Sequence, residues 1–162
     1  MQRAILSLLT LCALMLFINP PRATAQNVRT KPSLVGSWEF TVEPDSGHSA
    51  EHEIAGLATF TSDGTVIETD TSQAAFHVTS GHGIWQPGPA IGTLFVRFTN
   101  LAATPEGKLH TKRIVTLTVE LNSTGDRFNG GYSFEVIDTS GRTIETGSGS
   151  ITGELMVHPL LP

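Results

Sequence analysis

The chain has a single cysteine among its 162 residues, and that cysteine lies near the N-terminus. Cys12 stands inside an apolar run from Ala4 to Phe17, which we interpret as the core of a signal peptide. Removal of that peptide leaves no disulfide and no thiol, so neither cross-links nor cysteine chemistry are available to the mature chain. Its stability has to come from a packed apolar core.

The N-terminal segment has the three parts of a signal peptide. Arg3 precedes the apolar run, Pro20 and Pro21 end it, and Ala23-Thr24-Ala25 offers the small residues of a cleavage site. No later stretch approaches the roughly 20 apolar residues of a membrane-spanning helix. We therefore expect cleavage near Ala25, export to the periplasm or the extracellular medium, and no membrane span afterwards. The predicted organisation is a signal peptide at 1–25, a flexible lead-in at 26–33 and one β domain at 34–158.

Basic residues are also scarce. Without Arg3 and Arg22, which the signal peptide removes, eight basic side chains stand against fifteen acidic ones. Nucleic acids and anionic membranes attract basic patches, and the remaining Lys and Arg form no cluster beyond Lys112-Arg113. The composition therefore argues against nucleic acid or a charged membrane as the main partner.

Catalytic motifs are missing, with one apparent exception. The stretch His48–His52 reads H-x-x-E-H, a zinc-protease pattern that needs a helix to bring both histidines to one face. Here it lies between a turn sequence and a strand, where residues four apart stand roughly 13 Å from each other. We predict no metal site and no cofactor, with a looser metal site that includes Glu53 as the alternative.

Long helical patterns are absent from the mature chain, whereas strand alternation is strong. From Gly36 onward, Trp38, Phe40 and Val42 fall on one face and polar residues on the other. Seven further segments follow, separated by turn sequences such as Ser62-Asp63-Gly64. This pattern predicts an all-β, eight-stranded antiparallel up-and-down barrel. Eight strands leave room for packed side chains or for one small ligand.

The fourth segment is rich in glycine. We predict a strand from Gln73 to Trp85, with Val78 and Ile84 on the inward parity and Trp85 on the other. His82 shares the parity of Ile84, so we expect its side chain to point into the barrel. The neighbouring glycines indicate a bulge or a sharp bend.

The first strand resembles the opening of the lipocalin-like, or calycin, barrels, which include exported bacterial proteins. Gly36-Ser37-Trp38 matches their G-x-W motif. In that family the tryptophan plugs the closed end and the lumen holds a small apolar molecule, so the resemblance implies that Trp38 is the plug. The T-D-x-x-Y element and the late arginine that many members carry are absent from this chain. The chain is also similar in outline to the allene oxide cyclase and dirigent barrels.

The resemblance and the strand parity together predict a binding site for a small, largely apolar molecule. The predicted ligand-binding residues are Trp38, Phe40, Phe60, His82, Phe98, Arg113, Val115, Leu117, Tyr132 and Phe134.

Two alternatives remain open at this point. In a cyclase or isomerase, His82, Arg113 and Tyr132 are the catalytic candidates, because imidazole, guanidinium and phenol groups can orient an enolate or move protons. In the other alternative the barrel is filled and acts as a structural or interaction module without a ligand. An open apolar cavity favours binding, three converging polar groups favour catalysis, and a packed interior favours the third interpretation.

Overall fold

The computed structural model describes residues 33–45, 54–73 and 77–157, which form eight β-strands in a closed sheet. The strands are β1 (Gly36–Pro44), β2 (Ile54–Phe60), β3 (Thr65–Asp70), β4 (Gly81–Pro87), β5 (Thr93–Ala103), β6 (Leu109–Leu121), β7 (Arg127–Asp138) and β8 (Thr143–Leu155). Each strand pairs antiparallel with the next, and β8 pairs with β1. The predicted all-β, eight-stranded antiparallel up-and-down barrel is therefore confirmed.

Some predictions concern residues outside the described part of the chain. These are the signal peptide at 1–25, the lead-in before Ser33 and the H-x-x-E-H pattern of His48–His52. They stay predictions. Within the described residues, no helix is long and apolar enough to cross a membrane.

The two ends of the barrel differ. At one end, which we call the closed end, the Trp38 side chain is fully buried and its Nε1 donates a hydrogen bond to the Leu34 carbonyl oxygen at 2.7 Å. The Trp38 ring also packs on Phe128, with 5.1 Å between the ring centroids. At the other end, which we call the mouth, β1 ends at Pro44 and β2 begins at Ile54.

Alternation along the strands separates an apolar interior from a polar exterior, as the sequence predicts. In β6, for example, the buried Val115, Leu117 and Val119 alternate with exposed polar residues. Burial is most complete toward the closed end, where Leu94 and Val119 are each 1% exposed. The interior is therefore tightly packed at that end.

Inward aromatic rings lie opposite glycines on the neighbouring strand. The cross-strand pairs are Phe40–Gly56, Phe128–Gly153, Tyr132–Gly149 and Phe134–Gly147. A side chain added at any of these glycines would overlap the ring of its partner. The glycines thus leave the space in which the rings lie against the wall of the barrel.

Replacing Gly153 with alanine is expected to lower the free energy of unfolding by about 1–3 kcal/mol, the usual range for overpacking a core. The new methyl group would overlap the Phe128 ring, which Trp38 holds in place on its other side. Urea denaturation followed by circular dichroism measures the loss. Gly131→Ala is the matched control, because its Cβ would make only an ordinary contact at 3.7 Å from the Gly149 carbonyl oxygen. Equal losses at the two glycines would contradict this account.

The fourth strand differs from its prediction. It begins at Gly81 instead of Gln73. Trp85 faces the interior, where it packs against the core, whereas Ile84 is 64% exposed and His82 is exposed as well. The inward parity of this strand is therefore the opposite of the predicted one.

Packing inside the barrel explains this difference. The inner positions of β4 on either side of His82 are Gly81 and Gly83, and a Cβ at Gly81 would overlap the Glu68 carboxylate and the Phe98 ring. A residue without a side chain fits that position, so the histidine between the two glycines points outward. The prediction that His82 points into the lumen is wrong.

Candidate ligand-binding site

A space of about 80 Å³ remains inside the barrel, and we call it the deep cavity. Its wall is mostly apolar. It includes the predicted wall residues Phe40, Phe60, Phe98, Val115 and Leu117. An apolar protein cavity of about 150 Å³ holds one benzene ring, so the deep cavity by itself admits only part of a ligand.

A larger space of about 390 Å³ lies at the mouth, and we call it the mouth cavity. Its lining is mixed, with apolar Val136 and Ile144 beside polar His110 and Glu145. The two cavities have four wall residues in common, namely Ile54, Arg113, Tyr132 and Phe134. The mouth cavity falls in the range of roughly 300–1,000 Å³ that is typical of small-molecule sites.

Five polar side chains form one hydrogen-bonded group, which we call the acidic cluster, and four of them line the cavities. They are Glu68 and Asp70 on β3, Ser72 just after it, Asn100 on β5 and Arg113 on β6. Asn100 Nδ2 donates to Glu68 Oε2 at 3.1 Å, and Arg113 Nη2 contacts Asp70 Oδ2 at 3.2 Å. Arg113 Nε also donates to Asn100 Oδ1 at 3.4 Å. One network thus connects three strands.

The local sequence explains how strands on both sides of β4 can meet. Glu68 pairs in register with Gly81, and Gly81 has no side chain to separate the Glu68 carboxylate from the Asn100 amide. Asn100 is fully buried and donates a second hydrogen bond to the Thr79 carbonyl oxygen at 3.1 Å. The amide is therefore held in one orientation beneath the carboxylate.

Glu68 is the most unusual member of the cluster. It is 2% exposed, and its Oε1 atom accepts no hydrogen bond from any of the described residues. Burial raises the pKa of Glu68 from 4.5 to about 7. The negative charge of Asp70 and its hydrogen-bonding interaction with the protonated Glu68 carboxyl act in the same direction. The hydrogen bond from Asn100 and the charge of Arg113 oppose this rise. A buried acceptor without a partner costs about 1–3 kcal/mol.

Arg113 is occupied by the protein itself. Its Nη2 forms the salt bridge with Asp70, its Nη1 donates to Ser72 Oγ at 3.4 Å, and its Nε donates to Asn100. The side chain is 21% exposed. The guanidinium thus forms its salt bridge with Asp70, and it acts on Glu68 through its charge without a salt bridge between the two.

An aromatic surface faces the cavities from β7. The Tyr132 and Phe134 rings stack with 6.5 Å between centroids and an interplanar angle of 11°. Burial raises the pKa of the Tyr132 phenol, and the charge of Asp45 acts in the same direction. The phenol therefore stays protonated at neutral pH and can donate a hydrogen bond.

The structure brings together some of the predicted site residues and separates others. Arg113, Tyr132 and Phe134 line both cavities. Trp38 lies at the closed end and lines neither cavity, although it packs on Phe128, which is part of the wall of the deep cavity. His82 lies on the outer surface, so the histidine, arginine and tyrosine of the enzyme hypothesis do not meet at one point.

Sequence reasoning missed Glu68, Asp70, Ser72 and Asn100. A signal for the first two exists, because Glu68 and Asp70 follow Val66 at alternate positions, and Val66 is fully buried. Parity along β3 therefore places both carboxylates inside the barrel. The hydrogen bond from Asn100 to Glu68 depends on the pairing across β4, which no local pattern indicates.

A metal site does not emerge from these residues. Within 33–45, 54–73 and 77–157, no group of three or more His, Cys, Asp or Glu side chains is placed to hold a metal ion. The acidic cluster is bound internally by amide and guanidinium groups. Its chemistry is that of hydrogen bonding and charge.

Comparisons with known proteins give one structural likeness. No family model matches the chain, and no curated protein sequence matches it. A solved structure of a biogenic amine-binding protein, in its selenomethionine derivative, is similar with 15% identity and a TM-score of 0.37. The match covers 74% of this chain and 62% of that one. At this TM-score the likeness carries no weight for fold or ligand, and both rest on the contacts described above.

Proposed function

We propose that this protein is an exported barrel that binds a small, largely apolar molecule in its lumen. The observation that carries the proposal is the mouth cavity of about 390 Å³, which borders the apolar deep cavity. Concave, mostly apolar cavities with a few polar groups are typical of ligand-binding sites. The predicted signal peptide supports a role outside the cytoplasm.

The two alternatives lack comparable support. A filled barrel would have no internal space, whereas here cavities of about 80 Å³ and 390 Å³ lie in the lumen and at its mouth. A cyclase or isomerase built on the predicted residues needs His82 in the lumen, and His82 is exposed on the outside. Binding therefore has the better structural support.

A fluorescence titration with the neutral apolar dye prodan tests the proposal. We expect saturable binding with a blue-shifted emission, because the dye enters an apolar cavity. Val136 lines the mouth cavity, so Val136→Trp is expected to lower the dye affinity about 10-fold or more, a loss of about 1.4 kcal/mol. Thr116→Trp is the matched control, since Thr116 is exposed on the outside of β6.

Native mass spectrometry of the purified wild-type protein supplies an independent test. A co-purifying small molecule that is lost from Val136→Trp and retained by Thr116→Trp would support binding in the lumen. The absence of saturable dye binding by the wild type, or equal binding by both variants, would overturn the proposed function.

A further inference from the structure

The acidic cluster carries an imbalance of charge inside an apolar lumen. The charged residues among the described lining of the deep cavity are Glu68, Asp70 and Arg113. Two carboxylates thus stand against one guanidinium, and the guanidinium contacts Asp70 directly at 3.2 Å. The uncompensated group is the carboxyl of Glu68.

An anionic ligand does not fit this arrangement. A carboxylate that entered the lumen would need an unpaired cation, but Asp70 already compensates the charge of Arg113, and three of its five N–H groups donate to Asp70, Ser72 and Asn100. It would also be repelled by the negative charge of Asp70 and, above about pH 7, by that of Glu68, and a low dielectric strengthens this repulsion. The Arg113 guanidinium is therefore better described as a support for Asp70 than as an anion receptor.

A cationic hydrogen-bond donor fits it well. Glu68 Oε2 is held by Asn100 at 3.1 Å, whereas Oε1 is buried and accepts no hydrogen bond within the described structure. Buried polar groups are nearly always partnered, and an exception calls for an explanation, such as a water, an ion or a bound ligand that supplies the missing partner. Glu68 belongs to the wall of the deep cavity, so a ligand in the lumen can supply that donor.

We infer that the ligand carries a protonated amine on an apolar body, and that Glu68 binds the ammonium group. This inference rests on the proposed function. Asp70 adds negative charge next to Glu68, and Asn100 fixes the orientation of the carboxylate. The stacked rings of Tyr132 and Phe134 face the same cavities and contact the apolar body, and aromatic faces also attract cations.

Three probes with nearly the same apolar body test the head group on the wild-type protein. Phenethylamine, phenethyl alcohol and phenylacetate are compared by isothermal titration calorimetry and by displacement of prodan. We expect the amine to bind about 10-fold or more tightly than the alcohol, because hydrogen bonds to charged groups are stronger than neutral ones. We expect phenylacetate to bind most weakly.

The Glu68→Gln variant tests whether the Glu68 carboxylate causes the preference for the amine over the alcohol. Glu68→Gln keeps the size of the side chain and removes its charge, so the preference for phenethylamine over phenethyl alcohol is expected to fall about 10-fold. Glu135→Gln is the control, because Glu135 is exposed on the outside of β7 and its loss changes the net charge equally. A preference that falls equally in both variants would overturn the inference.

The pH dependence of binding gives a further measurement on the wild type. The charged groups that act on Glu68 are Asp70 on its own strand and Arg113 on β6, and Asn100 on β5 donates a hydrogen bond to it. Because Glu68 must be ionised to bind an ammonium group, amine affinity is expected to rise between about pH 6 and pH 8 while alcohol affinity stays constant. Identical pH profiles for the two probes would contradict the assignment.

These results separate the two proposals. If prodan binds in the lumen but the three probes bind equally well, or phenylacetate binds best, then the proposed function stands and the amine inference is wrong. If prodan does not bind at all, the proposed function itself fails.

Discussion

Replacing Trp38 with alanine is expected to lower the free energy of unfolding by about 3–5 kcal/mol, the range for removing a buried aromatic side chain. Trp38 is 0% exposed, packs on Phe128 and donates to the Leu34 carbonyl oxygen. Its loss removes the packing of the closed end and leaves a buried acceptor unpaired. Urea denaturation followed by far-ultraviolet circular dichroism measures the change without relying on tryptophan emission.

Two variants test whether position or residue type causes the loss. Trp85 is only partly buried, although it also donates a hydrogen bond, to the Thr61 carbonyl oxygen at 2.9 Å, and packs on Phe60. Trp85→Ala is therefore expected to cost less than half as much as Trp38→Ala. Trp38→Phe keeps most of the packing and loses the hydrogen bond, so its loss of unfolding free energy should lie between those of Trp85→Ala and Trp38→Ala. Equal losses for the two alanine variants would refute the assignment of Trp38 as the residue that closes the barrel.

The Glu68→Gln variant is expected to be more stable than the wild type at alkaline pH and equally stable at acidic pH. The folded protein holds the Glu68 proton up to about pH 7, whereas a glutamate in the unfolded chain releases it near 4.5. Wild-type stability is therefore lost as the pH rises through this window, by up to about 3 kcal/mol. Glutamine resembles the protonated acid and does not titrate.

Urea denaturation between about pH 4 and pH 8 without added ligand measures this difference. Carboxyls in the turns, such as Asp63, Asp126 and Asp138, have lowered pKa values because of hydrogen bonds within those turns, so they titrate below this window and alike in both proteins. Glu135→Gln serves again as the control and should follow the wild type. Parallel curves for wild type and Glu68→Gln would show that Glu68 ionises normally in the folded protein.

A buried acid that destabilises the free protein at neutral pH fits a binding role. Replacing its carboxylate with an amide is expected to raise the stability of the free protein. The Oε1 atom, which has no hydrogen-bond partner among the described residues, lowers that stability further. Binding sites often keep such groups because the ligand supplies the missing partner. The stability test measures the effect of the Glu68 carboxyl on the free protein, and the amine test measures its effect on ligand binding.

The sequence predicts the structure best where the pattern within a single strand decides which side chains point inward. Trp38, Phe40 and Val42 point inward because side chains alternate along any strand. Short polar turns between the segments make neighbouring strands antiparallel. The same alternation places Glu68 and Asp70 inside after Val66. Local periodicity suffices for these residues, since it needs no knowledge of the partner strand.

The β4 strand shows where local periodicity fails. Alternation along this strand does not show which face points inward, because one face carries two glycines and Trp85 and the other carries His82 and Ile84. Space inside the barrel decides between them: the Phe98 ring and the Glu68 carboxylate fill the volume that a side chain at Gly81 would need. The bulky residues of β4 therefore point outward, apart from Trp85 near the closed end.

By itself, the sequence determined the strand number, the antiparallel order and the inward faces of most strands, because each of these follows from alternation and turns within a short stretch. Only the tertiary structure decided which polar groups share the lumen. The hydrogen bond between Asn100 and Glu68 spans 32 residues and crosses β4 above a glycine. Closure of the sheet brings these distant residues within 3.1 Å of each other. Their separation along the chain does not predict that distance.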